Sequence, residues 1–259
     1  MLRRTSVLAA LMLPLCLLAP ALAGSLSTRH ISSRGISLAY SASLARGATV
    51  TALGLRMNAN GQTIPGRAVI FSGYTVAGSP YFPPTIWVLP TNPARYKKIS
   101  GVEGQGGMMP QIRQLSALLK RRPALSAVHS IPYVLPLVDE TELLVSKERY
   151  VRFAGGPGVS FVTAIGQASV PITNATPLRW EFRGITSNGK YLVAAEFPLN
   201  VPGLPVKEPK MGLRQQAALI NGWKKYVTRM QRSLDRRPDG AYAPDLGTLD
   251  ALARTIAVK

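Results

Sequence analysis

The stretch LRWEFRGITSNGKYLVAAEFP, from Leu178 to Pro198, decides the fold. Two runs rich in aromatic and apolar residues flank Ser187-Asn188-Gly189-Lys190, and Asn-Gly is the pair favoured in a two-residue type I′ hairpin turn because both residues tolerate positive φ. Counting outward from that turn, Thr186 faces Tyr191, Gly184 faces Val193, Phe182 faces Ala195 and Trp180 faces Phe197. These eight share one mostly apolar face, which is the expected core face. The other face carries Arg179, Glu181, Arg183 and Ile185 against Pro198, Glu196, Ala194 and Leu192, so that Glu181 and Glu196 stand directly opposed.

Two carboxylates held side by side push their pKa values apart, which is the arrangement that acid and base chemistry requires. A hydrolase acting on polymers of the cell envelope would use Glu181 and Glu196 in this way, provided that they open onto a cleft. The alternative is a solvated sheet face on which Arg179 and Arg183 offset the acidic pair.

Upstream of the hairpin, Ile36 to Tyr40, Arg67 to Tyr74, Thr85 to Leu89, Glu148 to Phe153 and Gly158 to Ile165 read as further strands. The last two are joined through the glycine-rich Gly155-Gly156-Pro157-Gly158. A helix is expected from Pro110 to Arg122, with Ile112, Leu115, Leu118 and Leu119 on one face, a basic last turn, and Pro123 ending it. Downstream, Leu213, Ile220, Trp223, Val227, Met230 and Leu234 fall on one stripe of a helix from about Met211 to Leu234. A shorter helix from about Leu246 to Ile256 closes the chain, with Asp245 or Thr248 as its cap. The expected fold is one α+β domain over residues 36–259, a mainly antiparallel sheet built from hairpins with the C-terminal helices packed on it.

Residues 1–23 have the layout of a cleavable signal peptide: basic Arg3 and Arg4, an apolar run from Val7 to Leu18, and Ala21-Leu22-Ala23 before Gly24. The run is shorter than the roughly 20 residues that span a membrane. The chain is therefore expected to be exported, to a periplasm or the outside, with residues 24–35 as a flexible leader. Cleavage would remove Cys16, the one cysteine, and with it any disulfide, thiolate metal site or cysteine nucleophile.

The chain has 31 basic and 12 acidic residues, a net charge of +19; without Arg3 and Arg4 the balance is 29 to 12, or +17. Such an excess bears on partners and solubility, and it points to a polyanion, an acidic polysaccharide or an anionic membrane surface. On the long C-terminal helix, Arg214, Lys225, Arg229, Arg232 and Arg236 fall within a sector of about 60° opposite the apolar stripe. No acidic residue interrupts that sector, so these five are the candidate anion-binding residues. The alternative is the ordinary polar face of a helix in a basic protein.

Other chemistries lack their residues. His30 and His129 lie in the leader and in a proline-bounded loop, with no pairing on a helix face that would hold zinc. There is no GxSxG and no supported SxxK. The glycines of residues 101–109 lack the strand before them and the Lys-Ser/Thr ending of a phosphate loop. No metal, cofactor or catalytic residue is assigned.

Several segments, taken in order, resemble a family of exported bacterial proteins without an assigned activity: Ile36 to Ala45 (ISLAYSASLA), Gly158 to Thr163, Val170 to Asn174 (VPITN), Phe182 to Tyr191 (FRGITSNGKY) and Pro244 to Val258 (PDLGTLDALARTIAV). The strand start, successive hairpins and closing helix are also similar to the PsbP-like sandwich. The resemblance implies an exported single domain and carries over no site residue. Against the family's hairpin this chain has Arg183 and Asn188 where glutamine and aspartate are usual, which implies a more basic surface. The reading that follows is a non-enzymatic binding or structural module of the cell envelope with a basic surface for an acidic partner; the alternative is the carboxylate-pair hydrolase.

Overall fold

The computed structural model describes residues 27–52, 66–74, 83–92, 107–128, 130–134, 141–166, 169–175 and 178–259, with the pairs 55–56 and 63–64 and positions 76 and 94. Residues 1–23, read from sequence as a signal peptide and including Cys16, lie outside the described residues, as do His129 and most of the glycine-rich segment. Strands are β1 (Thr28–Ser33), β2 (Ile36–Ser41), β3 (Gly47–Ala52), β4 (Leu55–Arg56), β5 (Thr63–Ile64), β6 (Arg67–Ser72), β7 (Thr85–Pro90), β8 (Thr141–Phe153), β9 (Gly156–Gly166), β10 (Leu178–Ile185), β11 (Tyr191–Pro198) and β12 (Ala257–Val258). Helices are α1 (Met108–Arg121), α2 (Leu213–Asn221), α3 (Trp223–Asp235) and α4 (Leu246–Thr255). The main sheet has seven strands in the order β3-β6-β7-β11-β10-β9-β8, a second has three in the order β1-β2-β12, and every pairing among the described residues is antiparallel. The α+β architecture expected from the hairpin pattern is the one found.

The β10–β11 register is the counted one, with Trp180 opposite Phe197, Phe182 opposite Ala195 and Glu181 opposite Glu196. The turn that sets it is different. Gly189 alone has positive φ (69°) there, and its N–H bonds to the Thr186 carbonyl at 2.7 Å. The Asn188 side chain accepts from the Lys190 N–H and holds the loop from within, so Asn188 keeps an ordinary φ. A two-residue turn with both φ values positive occurs instead at Arg34 (50°) and Gly35 (72°), joining β1 to β2. Residues 24–35, read from sequence as a leader, thus include a strand. Nearly every β1 side chain is exposed, so no alternation marks it in the sequence; its ladder with β2 orders it.

One face of the main sheet packs Trp180, Phe182, Val193, Ala195 and Phe197 against β2, α3 and α4. Phe182 meets Phe153 edge-on at 5.6 Å, and the two rings lie over Gly158 and Gly184, which face each other across β9 and β10. Asp245 caps α4 by accepting the Thr248 N–H at 2.9 Å. Inside this face Asp250, 1% exposed, accepts from Ser160 (2.8 Å), Trp180 Nε1 (3.2 Å) and Arg149 (3.1 Å), and Arg149 also makes two bonds to Asp239.

The opposite face is covered by α1 and by residues 125–128 and 130–134, and from these Leu115, Leu119, Ile131 and Val134 join Phe161, Ile185, Leu192 and Ala194. Covering on both sides buries every residue of β10.

The long C-terminal helix is two helices. They meet at Gly222, whose φ of −95° and ψ of 8° leave the helical range, and glycine costs about 1 kcal/mol in a helix interior. α3 packs on β8 through Val227, Met230 and Leu234. Asp235, its last residue, accepts from Ser146 Oγ (2.7 Å) and the Lys147 N–H (3.0 Å) where β8 bulges. α2 buries none of its residues, and Leu213 and Ile220, expected on the buried stripe, are 84% and 60% exposed.

Candidate functional site

The opposed glutamates are buried. Glu181 is 1% and Glu196 9% exposed, so the solvated sheet face expected as one alternative is not what forms. The reason is α1, whose apolar face needs a sheet surface and closes over this one. Its burial makes the charged residues satisfy one another, since an unpaired charge away from water costs several kcal/mol.

Arg183 is the centre of that arrangement. Its Nε and Nη2 donate to Glu181 Oε2 at 3.1 and 2.5 Å, Nη2 also to Glu142 Oε1 at 2.6 Å, and Nη1 to the Ile131 and Pro132 carbonyls, each at 2.9 Å. The guanidinium lies between the rings of Phe161 (4.5 Å) and Tyr133 (4.6 Å). One side chain thereby ties β10, the start of β8 and the segment before it into a unit. Beside it Arg179 Nη1 donates to Glu196 Oε2 at 2.7 Å.

Three carboxyl groups face two guanidinium groups. Burial, and next the neighbouring Glu181, push the Glu196 pKa up to about 7, against the pull of Arg179 and Arg183. Burial likewise raises Glu142, with Arg183 opposing. For Arg183 burial acts against the charged form, but Glu181 and Glu142 outweigh it and its pKa rises. Glu181 Oε1 is buried with no hydrogen-bond partner among the described residues. Glu142 and Tyr133 were invisible in the sequence as members of this cluster. Nothing local distinguishes them, and only the fold of residues 130–134 onto β10 brings them in.

A cavity of about 290 Å³ lies beside the cluster, lined by Ser130, Ile131, Glu142, Val145, Glu148 and Gln231 among others. Neither Glu181 nor Glu196 lines it. It reaches the cluster through Glu142, whose Oε1 is already held by Arg183. The opposed pair is buried, and its carboxylates are internal partners of Arg179 and Arg183.

The five basic candidates are all exposed. They do not share one helix: Arg214 is on α2, Lys225, Arg229 and Arg232 are on α3, and Arg236 is the C-terminal cap of α3. The single sector counted on a continuous helix is divided at Gly222. None of the five forms an ion pair with a carboxylate among the described residues. From Pro209 to Leu234 the chain has no acidic residue, while Lys210 and Lys224 add to the positive charge. Trp223 stacks on Tyr226 at 5.4 Å, and the Tyr226 hydroxyl accepts from the Ile172 N–H at 2.7 Å.

No known protein family, curated protein or solved structure matches this chain. Among the described residues no cluster of His, Cys, Asp and Glu could hold a metal ion, and no helix is long and apolar enough to cross a membrane.

Proposed function

We propose that the chain is an exported, non-enzymatic binding module of the cell envelope that engages an acidic partner through the α2–α3 arm. The observation that carries this reading is the set of exposed cations Arg214, Lys225, Arg229, Arg232 and Arg236, none of them ion-paired among the described residues, on an arm without an acidic residue from Pro209 to Leu234. Export rests on the signal-like residues 1–23. An ordinary solvated helix mixes carboxylates with its cations at four-residue spacing, which this arm does not do.

Retention on immobilised heparin across a salt series tests the proposal. The native protein should elute late, with a steep dependence on salt, and Arg229→Glu/Arg232→Glu should elute markedly earlier, because each neutralised contact removes released counterions. Equal retention of the two would remove the arm from the binding surface.

A further inference from the structure

We propose that the acidic partner is the surface of an anionic lipid bilayer, on which α2 lies flat with Leu213 and Ile220 inserted among the lipids. The inference rests on the binding reading above and specifies its partner. Its basis is the placement of apolar surface. The exposed large hydrophobic residues among those described are Val206 (74%), Leu213 (84%) and Ile220 (60%), all within the arm and the segment leading to it. Elsewhere among the described residues no large apolar side chain is exposed.

Val227, Met230 and Leu234 of α3 pack on the sheet, whereas beyond the break at Gly222 the apolar positions Leu213 and Ile220 of α2 are exposed and meet no surface among the described residues. Lys210, Arg214, Lys224 and Lys225 flank these positions in the chain, all exposed. Exposed leucine and isoleucine on a short helix flanked in the chain by Lys and Arg, with no carboxylate within it, form the pattern of a helix that rests in a lipid headgroup region. Its nine residues span about 13 Å, far less than a bilayer, so it can lie on a membrane and not cross it.

Charge decides between this occupant and the others. A second copy covering the stripe would bring Lys210, Arg214, Lys224 and Lys225 of two arms together, with Glu208 as the one carboxylate that each segment supplies against them. A soluble polyanion would satisfy the cations and leave Leu213 and Ile220 in water. An anionic bilayer satisfies both at once, because basic residues are attracted to the headgroups while apolar side chains leave water beneath them.

The test is co-sedimentation of the purified protein with phosphatidylcholine vesicles that contain phosphatidylglycerol, against phosphatidylcholine vesicles alone, in parallel with heparin retention. The native protein should bind the anionic vesicles selectively. Leu213→Ser/Ile220→Ser, both at exposed positions, should bind them at least tenfold more weakly while keeping its heparin retention and its melting curve. Arg229→Glu/Arg232→Glu should lose both activities. Native protein that is retained on heparin but ignores anionic vesicles would overturn the membrane inference alone. Loss of neither activity in Arg229→Glu/Arg232→Glu would overturn the reading beneath it. Undiminished vesicle binding by the Leu213/Ile220 variant, or a dimer in ultracentrifugation that this variant abolishes, would also overturn the inference, the second by assigning the stripe to another copy of the chain.

Discussion

Replacing Glu196 with glutamine should flatten the pH dependence of stability around neutrality. The folded chain holds a proton on Glu196 up to about pH 7, whereas the carboxyl in the unfolded chain releases it near 4.5. Between those values the native state binds more protons than the unfolded state, so stability falls as pH rises. The stabilisation is fully present below about pH 4.5 and is lost as pH passes through 7. At 1.36 kcal/mol per pH unit, the span from 4.5 to 7 corresponds to about 3 kcal/mol, or roughly 6–12 °C in melting temperature for a domain of this size. Glutamine keeps the shape of the protonated acid, accepts from Arg179 through its amide oxygen, and does not titrate. Melting curves followed by circular dichroism from about pH 5 to about pH 9 measure the effect, and groups common to both proteins cancel in the difference. The native protein should lose stability relative to Glu196→Gln as pH rises, with the variant the more stable above 7. Parallel curves for the two proteins would refute the assignment of the proton to Glu196.

Arg183→Ala should cost about 3–5 kcal/mol in urea unfolding, because it strands Glu181 and Glu142 without their buried partner. A cost near that of an exposed ion pair would show that the cluster does not hold residues 130–134 to the sheet. Gly158→Ala should cost about 1–3 kcal/mol, since its Cβ would stand 2.4 Å from the Phe182 ring and 3.1 Å from the Arg183 carbonyl oxygen; an unchanged melting temperature would mean that the ring swings aside freely. Asp245→Ala should lower stability by about 1 kcal/mol through loss of the bond to the Thr248 N–H, and Asp245→Asn should recover most of it, as scanning calorimetry can measure.

The hairpin from Leu178 to Pro198 was legible in the sequence to the level of individual residue pairs, because one strongly apolar face admits one register. Its turn was not, since Asn188 could act through either its backbone or its side chain, and the side chain won. The contents of the second face were also legible, but not its environment. A strand carrying Arg179, Glu181 and Arg183 looks solvated until α1, over 50 residues earlier in the chain, is known to lie on it. The C-terminal arm shows the converse. Heptad spacing marks Leu213, Ile220 and Trp223 as one stripe with Met230 and Leu234, but spacing cannot tell where the surface beneath a stripe ends. Here it ends near Gly222, and Leu213 and Ile220 beyond it change from core candidates to exposed apolar residues.

The division of charge links the fold to the proposed binding. Glu142, Glu181 and Glu196 are held by Arg179 and Arg183, Asp239 and Asp250 by Arg149, while Asp235 anchors the bulge of β8 and Asp245 caps α4. Most of the few carboxylates are thus committed to partners within the domain, and Arg214, Lys225, Arg229, Arg232 and Arg236 are left without an ion pair among the described residues. Buried partners contribute to folding and are insensitive to salt, whereas exposed cations contribute little to stability and respond strongly to it. Substitutions should therefore separate into two classes. Changing a carboxylate of the interior should move the melting temperature, and changing Lys225, Arg229 or Arg232 should move the salt dependence of binding with the melting temperature nearly constant. A charge reversal on α3 that unfolded the domain would break this separation, and with it the argument that the arm is free to serve a partner.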